Sequence, residues 1–97
     1  MKQHKSLLTD NWDECYFCEH GVPAQACHHI FGGPNRSISE REGFTVPLCH
    51  AHHNMSSQAV HFNRPLDLFL KRLAQTKYEE AGHTREQFIK LIGRSYL

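Results

Sequence analysis

Val46-Pro47-Leu48-Cys49-His50-Ala51-His52-His53 is the stretch that decides how the rest of the chain is read. A short β-like run ends directly in Cys49-x2-His52, and residues three apart on a helical turn share a face. Those two side chains can therefore hold one ion together. Upstream, Cys15-x2-Cys18 repeats the gap inside segment 14–25, which Gly21 and Pro23 mark as a knuckle of tight turns rather than a helix. Two half-sites of this kind supply the four donors of a tetrahedral structural zinc: Cys15, Cys18, Cys49 and His52. The thirty residues between Cys18 and Cys49 form too long a spacer for the finger module that reads three bases.

Working outward, Cys27-His28-His29-Ile30-Phe31 is a second β-like run, stopped by the loop signal Gly32-Gly33-Pro34-Asn35. Phe44-Thr45-Val46-Pro47-Leu48 follows Gly43, and Pro47 suits a sheet edge because it offers no ladder donor. The two runs predict a hairpin with a long polar connection over 32–43, and connections that long are often functional. Segment 49–58 contains no Gly or Pro and can form a short helix. Leu66, Phe69, Leu70 and Leu73 then fall at i, i+3, i+4 and i+7, with Pro65 in the first turn and Gly82 as a stop. Thr84-x2-Gln87 fits a capping box, Phe88, Ile89, Leu91 and Ile92 supply the next apolar face, and Gly93 closes it. Both stripes are expected to be core. The plan is α+β: an arm (1–13) that Leu7, Leu8 and Trp12 can dock, a zinc-bound hairpin and short helix (14–62), and a C-terminal helical pair (63–97).

Composition narrows the function. The chain has 97 residues, 39% hydrophobic and 22% charged, with 11 basic against 10 acidic side chains and a formal charge of +1. That balance excludes a protein gripping nucleic acid by bulk charge alone. No apolar run approaches the roughly 18–20 residues of a membrane span, and 1–10 lacks the apolar core of an export signal. A cytoplasmic, reducing setting is the expectation. There the nine histidines and four cysteines favour metal ligation over disulfides. Cys27 is left over as a small buried thiol beside the hairpin.

A second constellation lies around the zinc half-sites. With His52 on zinc, His53 points about 100° further round the helix. Across the hairpin, His28 and His29 offer two more imidazoles. Hydrolysing a phosphodiester needs a base for water and a cation for the developing negative charge. One histidine suits the first task, and histidines from separate elements suit the second. Strict β alternation sends His28 and His29 to opposite faces. Both serve one site only if the pleat breaks at the strand end, or if the reacting phosphate lies between them.

The ordered set Cys-x2-Cys, His28-His29-Ile30 with its Gly-containing loop, Ser39-Glu40, Gly43, Pro47-Leu48-Cys49, His52-His53 and Val60-His61 resembles the HNH, or ββα-metal, endonucleases of the His-Me finger group. It is most similar to small phage and prophage members akin to phage recombination nucleases, over about residues 15–97. The resemblance implies a zinc-stapled ββα-metal fold and divalent-metal-dependent cleavage of DNA, leaving 5′-phosphate and 3′-hydroxyl ends. It implies His29 as general base, with His28 and His53 as ligands of the catalytic ion. That ion is expected to be Mg²⁺ or Mn²⁺, with Ni²⁺ and Zn²⁺ also suited to histidine ligation. A recombinase or another phage protein is the partner it suggests, in a bacterial host.

Two departures from the family pattern stand out. Gly43, Phe44 and Thr45 occupy the place of the middle Asn that helps orient the base, and Asn35 is a substitute by residue type. Where some members have a third ligand, one turn after His53, this chain has Ser57. His61 can replace it only if the helix ends early, since a continuous helix would carry it about 12 Å along the axis. Asn35, Arg36 and Arg41 are candidate phosphate contacts in the loop, whereas Lys71, Arg72 and Lys77 read mainly as a wet helix face. The main alternative is a non-catalytic zinc module that binds nucleic acid or protein, and a further one is a structural protein of a phage particle. A monomer or a homodimer through either apolar stripe fits the size.

Overall fold

The computed structural model describes residues 3–18, 21–54 and 59–97. The architecture is α+β. Strand β1 (Ala26–His29) pairs antiparallel with β2 (Thr45–Leu48), placing Cys27 opposite Pro47, His28 opposite Val46 and His29 opposite Thr45. Both strands of a two-stranded sheet are edges, so Pro47 fits without breaking a ladder. Its carbonyl instead accepts the Tyr16 amide at 2.8 Å, which hangs the cysteine knuckle on β2. The knuckle closes on itself through Cys15 N to Val22 O at 2.9 Å.

The connection 32–43 is long and polar, as expected, but it is helical rather than an irregular loop. A 3-10 turn (Gly33–Asn35) leads into helix α1 (Arg36–Glu42), which ends at Gly43 in the left-handed region with φ +85°. Arg-Ser-Ile-Ser-Glu-Arg-Glu has no apolar stripe, which hides this helix from a periodicity reading. Its anchor is polar instead. Buried Ser39 accepts the Phe31 amide at 3.1 Å and donates to the Phe31 carbonyl at 2.7 Å, clasping α1 to the end of β1.

Helix α2 (His50–His53) follows β2 at once, and residues 55–58 of the expected helix, Ser57 among them, lie outside the described residues. Helix α3 (Arg64–Glu80) starts at Asn63, whose side chain accepts the Leu66 amide, and has Pro65 in its first turn. Helix α4 (Arg85–Ile92) starts with both halves of the expected capping box: Thr84 Oγ1 accepts the Gln87 amide at 3.1 Å and Gln87 Oε1 accepts the Thr84 amide at 2.7 Å.

The core forms where these helices cover the hairpin. Phe31 makes ring contacts with Phe44, Phe88 and Tyr96, and Phe44 with Tyr78 and Phe88. Leu70, Ala74 and Tyr78, spaced by four, are the buried line of α3. Phe69, expected in the core, is 51% exposed, and its ring faces Phe17 of the knuckle at 6.3 Å. Ile89 is likewise exposed, because α4 buries Phe88 and Ile92 and one residue further round the helix turns outward. Gln75, fully buried, accepts the Tyr96 amide at 2.7 Å and donates to Ser95 at 2.9 Å, which folds the C-terminal tail onto α3.

The segment 3–13 docks along the hairpin. Leu7 N donates to Gly43 O at 2.8 Å, Ser6 Oγ to Thr45 O at 2.6 Å and Thr45 Oγ1 to Lys5 O at 2.6 Å. Trp12 is buried, and Leu7 and Leu8 pack on the core. None of the helices described is long and apolar enough to cross a membrane.

Candidate metal centres and the histidine cleft

Cys15, Cys18, Cys49 and His52 converge from the knuckle and from the start of α2, their donor atoms all within 4.8 Å of one another. His52 Nδ1 lies 3.6, 3.2 and 3.4 Å from the sulfurs of Cys15, Cys18 and Cys49, and the Cys18 and Cys49 sulfurs are 3.7 Å apart. Tetrahedral zinc with its usual Zn–S and Zn–N bonds sets such ligand atoms about 3.6–3.8 Å apart, so the group is suited to a structural zinc. All four cysteines are free, and 3.7 Å is far beyond a disulfide bond of about 2.05 Å. Burial, with Cys15 and Cys49 alongside, pushes the Cys18 thiol up to about 12. Burial also raises Cys15, but hydrogen bonds from the backbone of Cys49, Phe17 and Cys18 outweigh it and bring that thiol below its ordinary value. Such bonds favour the thiolate a metal needs.

The second group is His28, His53 and His61, whose ring nitrogens also lie within 4.8 Å of one another. The early end of α2 makes this possible. Asn54 caps it, and the returning chain donates Val60 N to His52 O at 2.7 Å. His61 Nε2 thereby reaches 3.0 Å from His53 Nε2, and the His28 ring stands 5.1 and 5.5 Å from those of His61 and His53. His28 is buried, His53 half-buried and His61 exposed. Burial first, then the neighbouring imidazoles, lowers the His28 pKa to about 3, and burial and His61 lower His53 as well. Both rings therefore keep the neutral lone pair that a metal requires. His28 Nε2 is buried without a hydrogen-bond partner among the described residues, an orphan that an ion at this point would satisfy.

His28 and His29 obey the β alternation, because both belong to β1. They nevertheless border one cleft of about 270 Å³, which Arg36, His53 and His61 also line. A group lying between the two rings thus meets both, which is the second of the two arrangements that alternation allows. His29 Nε2 is 2.7 Å from Glu40 Oε2, while Glu40 Oε1 is 2.7 Å from His4 Nδ1. The hydrogen bond with His4 first, against the opposing effect of burial, and then that with His29 hold the Glu40 carboxyl below its usual range. Asn35, the substitute by type for orienting the base, instead donates to Ile92 O at 3.1 Å. Arg41 pairs with Glu42 at 3.0 Å. The sequence reading places Glu40 in the Ser39-Glu40 motif but gives it no role, and that motif is the signal that points to it. Cys27, expected to be a buried spare, is half-buried, and burial, reinforced by Glu40, pushes its thiol up to about 11.

Comparison with protein-family models, with curated proteins and with solved structures yields no match for this chain. The chain is a small α+β domain in which a cysteine knuckle and the helix after the hairpin bring together a three-cysteine, one-histidine group suited to zinc, beside a histidine cluster able to hold a metal.

Proposed function

We propose that this chain is a divalent-metal-dependent endonuclease of the HNH, ββα-metal kind, hydrolysing DNA phosphodiesters. The observation that carries the reading is the cleft shared by His28, His53 and His61 with His29, in which a buried ring nitrogen of His28 has no hydrogen-bond partner among the described residues. His28, His53 and His61 would hold the ion. A divalent ion bound there supplies positive charge against the scissile phosphate and the departing oxygen.

The chain's own residues do the rest. Glu40 accepts the Nε2 proton of His29, which fixes the ring and leaves Nδ1 as the basic nitrogen. His29 takes the proton of the attacking water on that atom. Arg36, at the rim of the cleft, pairs with phosphate oxygens. The formal charge of +1 supports modest DNA affinity, strengthened locally by the ion or by a partner such as a recombinase.

The test is cleavage of supercoiled plasmid and single-stranded DNA in Mg²⁺, Mn²⁺ or EDTA, comparing wild type with His29→Ala at equal zinc content. The reading expects metal-dependent cutting that falls about 100- to 10,000-fold in the variant. Equal cutting by both proteins overturns the assignment of His29. Absence of cutting by wild type favours a zinc-stabilised binding module.

A further inference from the structure

We propose a third metal site, built from His4, Cys27 and Glu40, that takes a thiophilic divalent ion such as zinc or cadmium. One donor atom from each residue lies within 4.8 Å of the other two. The three come from separate segments, namely the docked arm, β1 and α1, and each is held by its neighbours. Backbone and hydroxyl bonds at Lys5, Ser6 and Leu7 fix the chain just beyond His4, whose ring rests on Trp12 at 5.2 Å. Cys27 stands two residues before His29 on the same face of β1. Glu40 follows Ser39, the residue that clasps α1 to Phe31.

The donor set is one sulfur, one nitrogen and one oxygen, which selects zinc-like ions over Mg²⁺ or Mn²⁺. In this it differs from the all-nitrogen histidine cluster. His4 Nδ1 and Glu40 Oε1 are now 2.7 Å apart in a hydrogen bond. An ion replacing the shared proton would set them about 3.4 Å apart. Glu40 can yield that distance, because its side chain is 45% exposed. Binding also releases the Cys27 thiol proton to solvent, leaving a thiolate on the ion. The ion would staple the arm to the hairpin. On the nuclease reading it would also secure the carboxylate whose other oxygen positions His29.

Cadmium NMR of the full chain loaded with Cd²⁺ tests the site directly, since the resonance moves downfield with each coordinated sulfur. Wild type should show a three-sulfur signal from Cys15, Cys18 and Cys49 and a separate single-sulfur signal. Cys27→Ser and His4→Ala should each lose only the second, the three-sulfur signal certifying the fold. His53→Ala should keep both. No single-sulfur signal in wild type, or one that survives Cys27→Ser, overturns the proposal. The readout involves no cleavage, so it stands or falls independently of the nuclease reading.

Discussion

The group at Cys15, Cys18, Cys49 and His52 and the group at His28, His53 and His61 both draw on helix α2, through adjacent histidines, yet they are built differently. The first has four donors of mixed sulfur and nitrogen at distances that close a tetrahedron, leaving no position for a substrate. The second has three nitrogens, graded from buried His28 to exposed His61, and opens onto a cleft. A closed site holds the fold, whereas an open one leaves coordination positions free. A helix of four residues, His50–His53, separates the two groups by the rotation between consecutive side chains.

The sharpest way to break that contrast is to remove one ligand of the closed site. Cys49→Ser should unfold the chain under ordinary conditions, because structural zinc in a small domain supplies about as much free energy as its whole net stability. Circular dichroism and zinc content check this, and a folded variant with an unchanged melting temperature would assign the staple elsewhere. By contrast, His53→Ala should leave fold and zinc in place.

Acid should distinguish the regions next. The buried His28 has its pKa lowered to about 3 in the folded state, against an ordinary 6.5. The unfolded chain thus binds more protons below about pH 6.5, so this group's contribution is intact above that value and is lost as pH falls toward about 3. With zinc in the closed site and no other ion added, the loss between pH 7 and 5 should be about 2 kcal/mol. Denaturant titrations of wild type and His28→Gln should show the slope in the first and a flatter line in the second. Parallel lines would mean that His28 is not held neutral by burial.

The smallest effect should come far from both groups. Thr84→Ala removes the cap of α4 and should cost about 1 kcal/mol, lowering the melting temperature while leaving every metal count unchanged. A change in ion content would show that the helical tail shapes the sites.

Much of this layout was legible in the sequence. Spacing encodes each half of the closed site, since each pair of ligands lies within one local turn. The hairpin followed from two β-like runs, and α4 from a capping box that forms both of its bonds. Helix α1 leaves no apolar periodicity to read, because its buried residue is the polar Ser39 and Ile38 is its one apolar side chain. Asn35 and Gly43, flanking Arg36–Glu42, were its available signals. The place of His61 depended on α2 stopping at Asn54, a tertiary outcome that no periodicity specifies. The meeting of His4, Cys27, His29 and Glu40 joins three segments, and pairings between distant segments leave no local pattern. Phe69 misled because its helix buries Leu70, Ala74 and Tyr78 instead.

The presence of two separate centres on α2 is tested most directly by titrating protein that carries one zinc per chain with Mn²⁺ and following free and bound manganese by electron paramagnetic resonance. One bound Mn²⁺ per chain is predicted for wild type, abolished in His28→Ala and His53→Ala while the zinc content stays the same. Undiminished Mn²⁺ binding in both variants, or loss of zinc together with manganese, would contradict two separate centres on one helix.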